Sequence, residues 1–338
     1  MKGDAPLALE KVLLPSRILY APLAGCSDFP FRKQSAKYRP GLMFCEMVKM
    51  EALVRFDSKT LHLLDYAADM HPIGAQLCGS NPAIAGEAAK IIENLGFDTI
   101  DLNCGCPVDK ITKDGSGSGL LRNPYRIGEI LHEMKKAVSI PVTLKIRAGW
   151  DEKQICVAEI VAIAEEAGAA AVCVHGRTRE QGYSGPADWN YIRMAKEAAR
   201  KIKVIGNGDI VDGPSAARMF AETGCDALLI GRGTLGTPWI AEEVRSYLNG
   251  EMHAPESSEK CRQGLFDHFL EVCRYHPDQR IPIEMRRIGC WYLKKGAGMR
   301  RFREKISRAT TLAEVEELLR FCSPEWEEDQ PSSSIAAE

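Results

Sequence analysis

Short apolar segments alternate with longer amphipathic ones between Ile18 and Gly233. Eight of the apolar segments have strand character, and they comprise residues 18–24, 41–48, 73–79, 99–105, 142–149, 170–177, 203–210 and 227–233. Helical patterns separate most of them, for example over residues 81–96 and 156–168. Apolar runs of this length that alternate with helices indicate parallel strands buried on both faces. Eight such units in about 220 residues predict an α/β fold, a (β/α)8 barrel rather than an open sheet of six or seven strands.

The pattern changes after Pro238, and from about Ser258 onward the chain contains helical segments without a further strand pattern. We therefore predict a barrel domain over residues 1–250 and an all-helical domain over residues 255–322. Thr310 or Thr311 is a plausible N-cap for the last helix. Residues 323–338 are rich in acids and serines, a composition typical of a disordered tail.

Composition adds the cellular context. The 338 residues are 45% hydrophobic and 27% charged, which is ordinary for a globular protein. The chain begins without a signal-peptide pattern and contains no window of eighteen apolar residues, so we expect a cytoplasmic, monomeric protein without a membrane contact. Its twelve cysteines are then expected to be reduced thiols.

The net charge of −2 hides a strongly basic segment. Between His276 and Lys305 there are nine Lys or Arg residues against three acids. Aromatic residues lie among these cations, namely Trp291, Tyr292 and Phe302. Cations combined with stacking surfaces are typical of nucleic-acid binding, whereas a basic helix alone is more often a solvated face.

Polar residues follow nearly every predicted strand. Barrels of this kind place their active sites at the carboxyl ends of the strands, where these side chains would converge. In chain order the strand ends contribute Pro22, Leu23 and Ala24; Glu46; Gln76; Asn103 and Cys106; Lys145 and Arg147; His175 and Arg177; Asn207, Gly208 and Asp209; and Gly231 and Arg232.

These groups suit a flavin mononucleotide. Gln76 can bond the polar edge of the flavin ring, and Lys145 is an apt partner for the ring edge that gains negative charge on reduction. The glycines after the last two strands allow a phosphate to approach the backbone, and Arg232 can bind it. One such residue could simply end a strand at the protein surface, but that explanation is poor for polar residues at eight strand ends together.

Several motifs, taken in order, are more specific than the fold. They are APLAGCSDFPFR (21–32), LNCGCPVDKITKDGSGSGLLRNP (102–124), VTLKIRAGW (142–150), VHGRTREQGYSG (174–185), GNGDI (206–210) and IGRGTLGTPW (230–239). Over roughly residues 15–310 the chain resembles the tRNA-dihydrouridine synthases, above all the bacterial branch with GCP, HGRTR and WYL motifs. It departs in having APLAG for APMAG, and Cys104 where other members often have Met or Leu.

The resemblance implies an FMN enzyme that uses NADPH to reduce the C5–C6 double bond of particular uridines in tRNA. Hydride from FMN N5 would reach C6, and Cys106 of the GCP motif would give a proton to C5. A thiol is mostly protonated at pH 7 and is a competent acid. The implied residues that bind FMN non-covalently are Pro22, Leu23, Ala24, Gln76, Lys145, His175, Asn207, Gly208, Asp209, Gly231 and Arg232. Those that contact RNA are Asn103, Arg147, Arg177, Arg286, Arg287, Arg300 and Arg301.

Four local questions stay open at this stage. Cys104 lies two residues before Cys106, so a side chain on the same face is conceivable, and we interpret it as a neighbour of the acid. Two cysteines without further ligands do not predict a metal site. We expect the Gly- and Ser-rich run after the GCP motif to be a mobile loop that closes on the substrate. Glu46 either contributes to the site or only holds a loop or an arginine.

Two other functions are compatible with parts of the sequence. A flavin barrel enzyme acting on a free small molecule would use the same flavin residues but not the basic C-terminal segment. An RNA-binding protein with an inactive barrel is disfavoured because Cys106, Lys145 and His175 are all present. The identity of the reduced uridines, ribosomal RNA as a further substrate, and NADH in place of NADPH are left open.

Overall fold

The computed structural model describes residues 3–251, 257–293 and 299–322. Its strands are β1 (Leu7–Leu9), β2 (Val12–Leu14), β3 (Ile18–Tyr20), β4 (Leu42–Phe44), β5 (Val48–Lys49), β6 (Ile73–Cys78), β7 (Thr99–Cys104), β8 (Val142–Arg147), β9 (Ala171–His175), β10 (Lys203–Asn207) and β11 (Ala227–Ile230).

Helices follow most of these strands. They are α1 (Phe29–Ala36), α2 (Met50–Leu53), α3 (Ser58–His62), α4 (Pro82–Asn94), α5 (Asp109–Thr112), α6 (Pro124–Ala137), α7 (Val157–Glu166), α8 (Asn190–Ala198), α9 (Gly213–Thr223), α10 (Ile240–Leu248), α11 (Ser258–Tyr275), α12 (Ile281–Tyr292), α13 (Met299–Ile306) and α14 (Leu312–Leu319). None of the helices in the described ranges has the length and apolar character that crossing a membrane requires.

The sheet closes into a parallel barrel. Its strands follow the order β4-β3-β11-β10-β9-β8-β7-β6, and β4 also pairs with β6, which completes the ring. The short strand β5 continues the second barrel strand and pairs with the end of β6. All eight predicted strands are present, and the (β/α)8 barrel is confirmed. The structured strands end earlier than the apolar segments, because their last residues turn into the loops of the site.

A hairpin that the sequence did not predict closes the bottom of the barrel. Strands β1 and β2 are antiparallel, and Leu7, Leu9 and Leu14 lie in an apolar cluster with inward-facing residues of the barrel strands, such as Leu19 and Leu42. The hairpin therefore keeps water out of the amino-terminal end. The interior opens at the other end, where the strands finish.

The helices after residue 257 pack around an apolar cluster of their own, which also includes Trp239 at the end of the barrel. Helix α11 packs against α1, and the rings of Phe29 and Tyr275 stack with centroids 4.5 Å apart. Thr311 caps α14 in a capping box, as the sequence indicated. The division at residue 250 into separate domains stays a prediction. Residues 323–338 and Lys294 and Lys295 lie outside the described residues.

Candidate active site

A cavity of about 1270 Å³ lies at the carboxyl ends of the barrel strands. This exceeds the roughly 300–1,000 Å³ of most small-molecule sites, so it has room for more than one ligand. Its wall continues from the barrel loops onto the C-terminal helices, where Cys261, Arg262, Trp291 and Met299 contribute. Among the predicted residues, those that line it are Pro22, Leu23, Ala24, Gln76, Asn103, Cys106, Lys145, Arg147, His175, Asn207, Gly208, Asp209, Gly231 and Arg232.

The strand register explains this convergence. Residues paired across parallel strands point to the same face, so they form successive layers toward the cavity. In the lowest layer Asp101 lies between Gln76 and Thr143. Asn103 and Lys145 pair in the next layer, and Arg147, His175 and Asn207 form the layer above it.

The lowest layer contains a buried acid that the sequence interpretation missed. Asp101 accepts hydrogen bonds from Thr143 Oγ1 (2.7 Å) and from Gln76 Nε2 (2.7 Å). Gln76 Oε1 in turn accepts from Asn103 Nδ2 at 2.8 Å. Burial raises the pKa of Asp101 to about 6. The signal for this residue was its position two residues before Asn103, which places both side chains on the same face of one strand.

Cys106 lies beyond the end of β7, half-buried in the wall of the cavity. Its backbone N–H donates to Asn103 Oδ1 at 2.9 Å, and its carbonyl oxygen accepts from Ser118 N (3.0 Å) and Ser118 Oγ (2.9 Å). These bonds fix the backbone on both sides of the thiol. The structure therefore presents a held thiol to the cavity.

Cys104 does not share this face, so the same-face arrangement that the sequence left open is not the one in the structure. It is completely buried in the apolar layer between the barrel and its helices, together with Ile100 and Leu102. Burial raises the pKa of its thiol well above the usual value. The alternation of faces ends with β7 at Cys104, because the chain turns at Gly105.

The Gly- and Ser-rich run after Cys106 is packed, and the structure gives no support to its interpretation as a mobile loop. Residues 117–122 form a 3-10 helix in which Gly117, Ser118 and Leu120 are buried. Gly117 has a φ of 58°, and a Cβ there would lie 2.9 Å from the carbonyl oxygen of Cys106. Glycine is thus required for close approach under the thiol rather than for flexibility.

Lys145 is the cation at the centre of the cavity wall. Among the described residues its ammonium group has no hydrogen-bond or ion-pair partner. Burial lowers its pKa. A partly buried amine that faces a cavity and has no hydrogen-bonded carboxylate is stabilised by a ligand that supplies negative charge. This arrangement fits a ligand whose negative charge lies beside β8.

His175 is held as a neutral imidazole. Asn207 Nδ2 donates to the carbonyl of Leu229 at 2.6 Å, so its Oδ1 faces His175 and accepts from Nδ1 at 2.8 Å. Burial, with the charges of Lys145 and Arg147, lowers the pKa of His175 to about 2. The ring therefore carries its proton on Nδ1, and Nε2 is an acceptor that lies 3.5 Å from Arg177 Nη1.

Arg177 was predicted to contact RNA, but the structure favours an internal role. Its guanidinium is buried and donates to both carboxylate oxygens of Asp209, at 3.0 and 2.7 Å, and to the carbonyl of Gly185 at 2.6 Å. The same carboxylate accepts from Ala187 N at 2.8 Å. Arg177 thus fixes the loop after β10.

The two loops predicted to hold a phosphate lie side by side. Asp209 accepts from Arg232 at 3.4 Å, which joins the loop after β10 to the loop after β11. Gly208 has a φ of 127°, a conformation in which other residues are strained. A Cβ on Gly231 would find only Leu23 and Ala21, at 3.7 and 3.8 Å. The space in front of Gly231 is therefore open to a ligand.

The guanidinium of Arg147 also donates its hydrogen bonds to the protein itself. It donates to the carbonyls of Gly105 (2.9 Å), Thr178 (2.7 Å) and Gly182 (2.7 Å). It thereby ties the loop of Cys106 to the loop after β9. This geometry favours a role in positioning Cys106 over the predicted direct contact with uracil, which stays a prediction.

Glu46 supports the loop that follows β3. Its carboxylate accepts from the backbone N–H of Gly25, which has a φ of 70°. This contact holds the turn that follows Pro22, Leu23 and Ala24. Of the two interpretations offered by the sequence, the loop-holding one is the one that the structure supports.

Comparison with known proteins adds the identity of the family. A family model described as "Dihydrouridine synthase (Dus)" matches residues 19–325. The chain belongs to the dihydrouridine synthase family. It is therefore an enzyme, a flavin-dependent oxidoreductase, and the resemblance of the sequence motifs is confirmed. The match extends past the residue near 310 at which the motif resemblance ends.

Curated relatives share most of the length. The tRNA-dihydrouridine synthase B of Pseudomonas aeruginosa is 37% identical over 297 residues, which cover 87% of this chain and 89% of the relative. A probable tRNA-dihydrouridine synthase of Rhodobacter capsulatus is 36% identical over 325 residues, 95% of this chain and 99% of the relative.

Solved structures support the fold. The structure of TcOYE with pHBA superimposes with a TM-score of 0.56 at 14% identity, covering 76% of this chain and 95% of that one. Morphinone reductase gives a TM-score of 0.54 at 13% identity, covering 77% and 93%.

The basic residues of the C-terminal helices differ in exposure. Arg287 donates to Glu284 (2.7 Å) and to Asp28 of the barrel (3.2 Å), so it joins the two parts of this family member rather than facing solvent. Arg286 donates to the carbonyl of Ala309 at 2.7 Å. Arg300 is strongly exposed, with 89% of its side chain accessible and Glu304 as its partner.

The aromatic residues in this segment were predicted to stack on bases, and two of the three do not fit that role. Phe302 is buried in the apolar cluster of the C-terminal helices. Tyr292 is buried with its hydroxyl 3.0 Å from His268 Nδ1. Trp291 and Tyr292 both border the cavity, but of the three aromatic residues only Trp291 is half-buried. Arg301 lies beside Phe302 on α13, and its contact with RNA stays a prediction.

A metal centre has no candidate ligands in the part of the chain that the structure describes. No group of three or more His, Cys, Asp or Glu side chains is close enough to hold an ion there.

Proposed function

We propose that this enzyme reduces the C5–C6 double bond of specific uridines in tRNA to 5,6-dihydrouridine, with non-covalently bound FMN and with NADPH as reductant. The observation that carries the proposal is the cavity itself. It joins the ends of the barrel strands, the held thiol of Cys106 and the C-terminal helices in one space larger than a single cofactor requires. The curated relatives named above are tRNA-dihydrouridine synthases.

The residues of the cavity fit a flavin phosphate ester. Lys145 offers a partly buried positive charge without a hydrogen-bonded carboxylate among the described residues, and the open space before Gly231 lies beside Gly208 and Arg232. Glycine loops after the last two strands are the usual phosphate site of this fold. When bound, the flavin supplies the hydride that reaches C6 of uracil.

Cys106 then provides the proton for C5. A general acid must be held within reach of the accepting atom, and the bonds from Asn103 and Ser118 fix the backbone on each side of this thiol. Asn103, in the same network, faces the cavity and can donate to a uracil oxygen. His175 lines the same cavity as a neutral ring, with Asn207 on Nδ1 and Arg177 Nη1 3.5 Å from Nε2, and can contact the flavin or the substrate from there.

The way in which a base would reach the cavity supports tRNA as the partner. A base must leave its stack to enter a barrel, so the protein has to bind the surrounding RNA. The rim of the cavity is extended by Arg262 and Trp291, and the exposed Arg300 lies further along the C-terminal helices. The monomeric state and NADPH preference stay predictions.

The decisive experiment uses purified enzyme, NADPH and an unmodified tRNA transcript. Dihydrouridine is measured by mass spectrometry, and its positions are mapped in RNA from cells with and without the gene. We expect dihydrouridine only with the complete mixture and loss of at least one position without the gene. Reduction of free uracil or orotate in place of tRNA would reject the proposal.

A further test concerns the flavin. Lys145→Met is expected to weaken FMN binding about tenfold or more, because a hydrogen bond to a charged group is lost. The dissociation constant is measured by flavin fluorescence on the flavin-free protein. Lys203→Met, at the opposite end of the barrel, is the matched control and should leave it unchanged. Equal affinity in both variants would remove Lys145 from the flavin site.

A further inference from the structure

The chain of hydrogen bonds through Gln76 has a defined direction. At one end is the carboxylate of Asp101, which can only accept, and Gln76 must therefore turn its Nε2 toward it. At the other end the backbone N–H groups of Gly105 (3.2 Å) and Cys106 (2.9 Å) can only donate, so Asn103 turns its Oδ1 toward them. The two ends independently require the same orientation of both amides.

The direction of these hydrogen bonds decides which groups of Gln76 and Asn103 remain available to a ligand in the cavity. Each amide NH₂ group has two hydrogens and uses one within the chain, through Gln76 Nε2 to Asp101 and Asn103 Nδ2 to Gln76. Asn103 Oδ1 is already occupied by two backbone donors. Both side chains line the cavity, so the group that Asn103 has left to offer is an N–H.

We propose that Asp101 is a positioning residue that, through Gln76, holds Asn103 with an N–H toward the cavity, where it meets a carbonyl oxygen of the pyrimidine. The inference rests on the proposed function, because the pyrimidine is the uracil of that reaction. Through Asn103, Asp101 also supports the backbone of Cys106.

Three variants separate this role from a general contribution to stability. In Asp101→Asn, the new Oδ1 still accepts from Gln76, and the Thr143 hydroxyl can accept from the new amide, so the direction is kept. In Asn103→Asp, Gln76 lies between two carboxylates and must place its oxygen against one of them. In the double variant D101N/N103D, Gln76 reverses and every member is paired again, but position 103 no longer has an N–H.

The measurements are hydrogen exchange of the Gly105 and Cys106 amides and uridine reduction, both at pH 8 on the purified enzyme. We expect exchange in Asn103→Asp to accelerate about tenfold or more, and the double variant to return to the slow exchange of wild type and of Asp101→Asn. Uridine reduction should be about tenfold or more slower in both variants with Asp at position 103 than in Asp101→Asn.

Thr99→Val is the control, since Thr99 lies on the same strand with a buried hydroxyl that has no partner among the described residues. It should match wild type in both measurements. Exchange in the double variant as fast as in Asn103→Asp would overturn the proposal, and so would full uridine reduction in the double variant. A wild-type enzyme unable to reduce uridine would reject the proposed function, while the order of exchange rates would still decide on Asp101.

Discussion

Cys106→Ala is expected to leave flavin binding and NADPH oxidation nearly intact and to lower uridine reduction by about 10²–10⁴, the usual range for loss of a general acid. The thiol borders the cavity, and its backbone is fixed by Asn103 and Ser118, so its removal changes little except the proton source. Flavin content is read from visible absorbance, NADPH oxidation is followed without RNA, and uridine reduction is measured in a single turnover with a tRNA transcript.

Cys104→Ala is the matched control for that measurement. Its side chain lies in the apolar layer outside the barrel, so the substitution removes buried volume and leaves the cavity wall unchanged. We expect a modest loss of thermal stability and a normal rate. A large loss of rate in Cys104→Ala, with normal turnover in Cys106→Ala, would show that the other thiol is the acid.

The barrel could be predicted because eight buried parallel strands leave a repeated apolar signal that no short loop imitates. The hairpin β1–β2 left no such signal, since each of its strands has three residues and the segment contains only a few alternations. Its position depends on contacts with barrel residues that are distant in sequence, such as Leu42 and Leu229. Contacts of that kind exist only after the barrel closes.

The site was predicted as far as the last residues of the strands. Parallel strands bring their carboxyl ends together, so the residues there meet whatever the loops do. Asp101 was not predicted because it lies one layer deeper in the barrel than the strand ends. A buried carboxylate is expected there only if its partners, such as Gln76 and Thr143, are known. The arginines show the opposite error, because sequence gives the charge of Arg147 and Arg177 but not the partners that each one binds within the protein.

Arg287→Met is expected to lower the free energy of unfolding by roughly 2–3 kcal/mol. Breaking a buried ion pair costs about 3–5 kcal/mol, and partial exposure reduces that figure. The Arg287 side chain is 29% exposed, and it pairs with Asp28, the N-cap of α1, and with Glu284. Both carboxylates are mostly buried and would lose this cation. Denaturant unfolding followed by fluorescence measures the difference.

Arg300→Met is the matched variant, because it removes the same charge from the exposed side of the C-terminal helices. Its stability should equal that of wild type, since an exposed i,i+4 pair contributes little. If Arg300 contacts a phosphate, the slope of tRNA affinity against salt should become shallower by about 0.9, the value for one lost contact. The reverse pattern, with a stable Arg287→Met and a shallower slope in that variant alone, would return the phosphate contact to Arg287. An unchanged slope in both variants would assign RNA binding to residues other than Arg287 and Arg300.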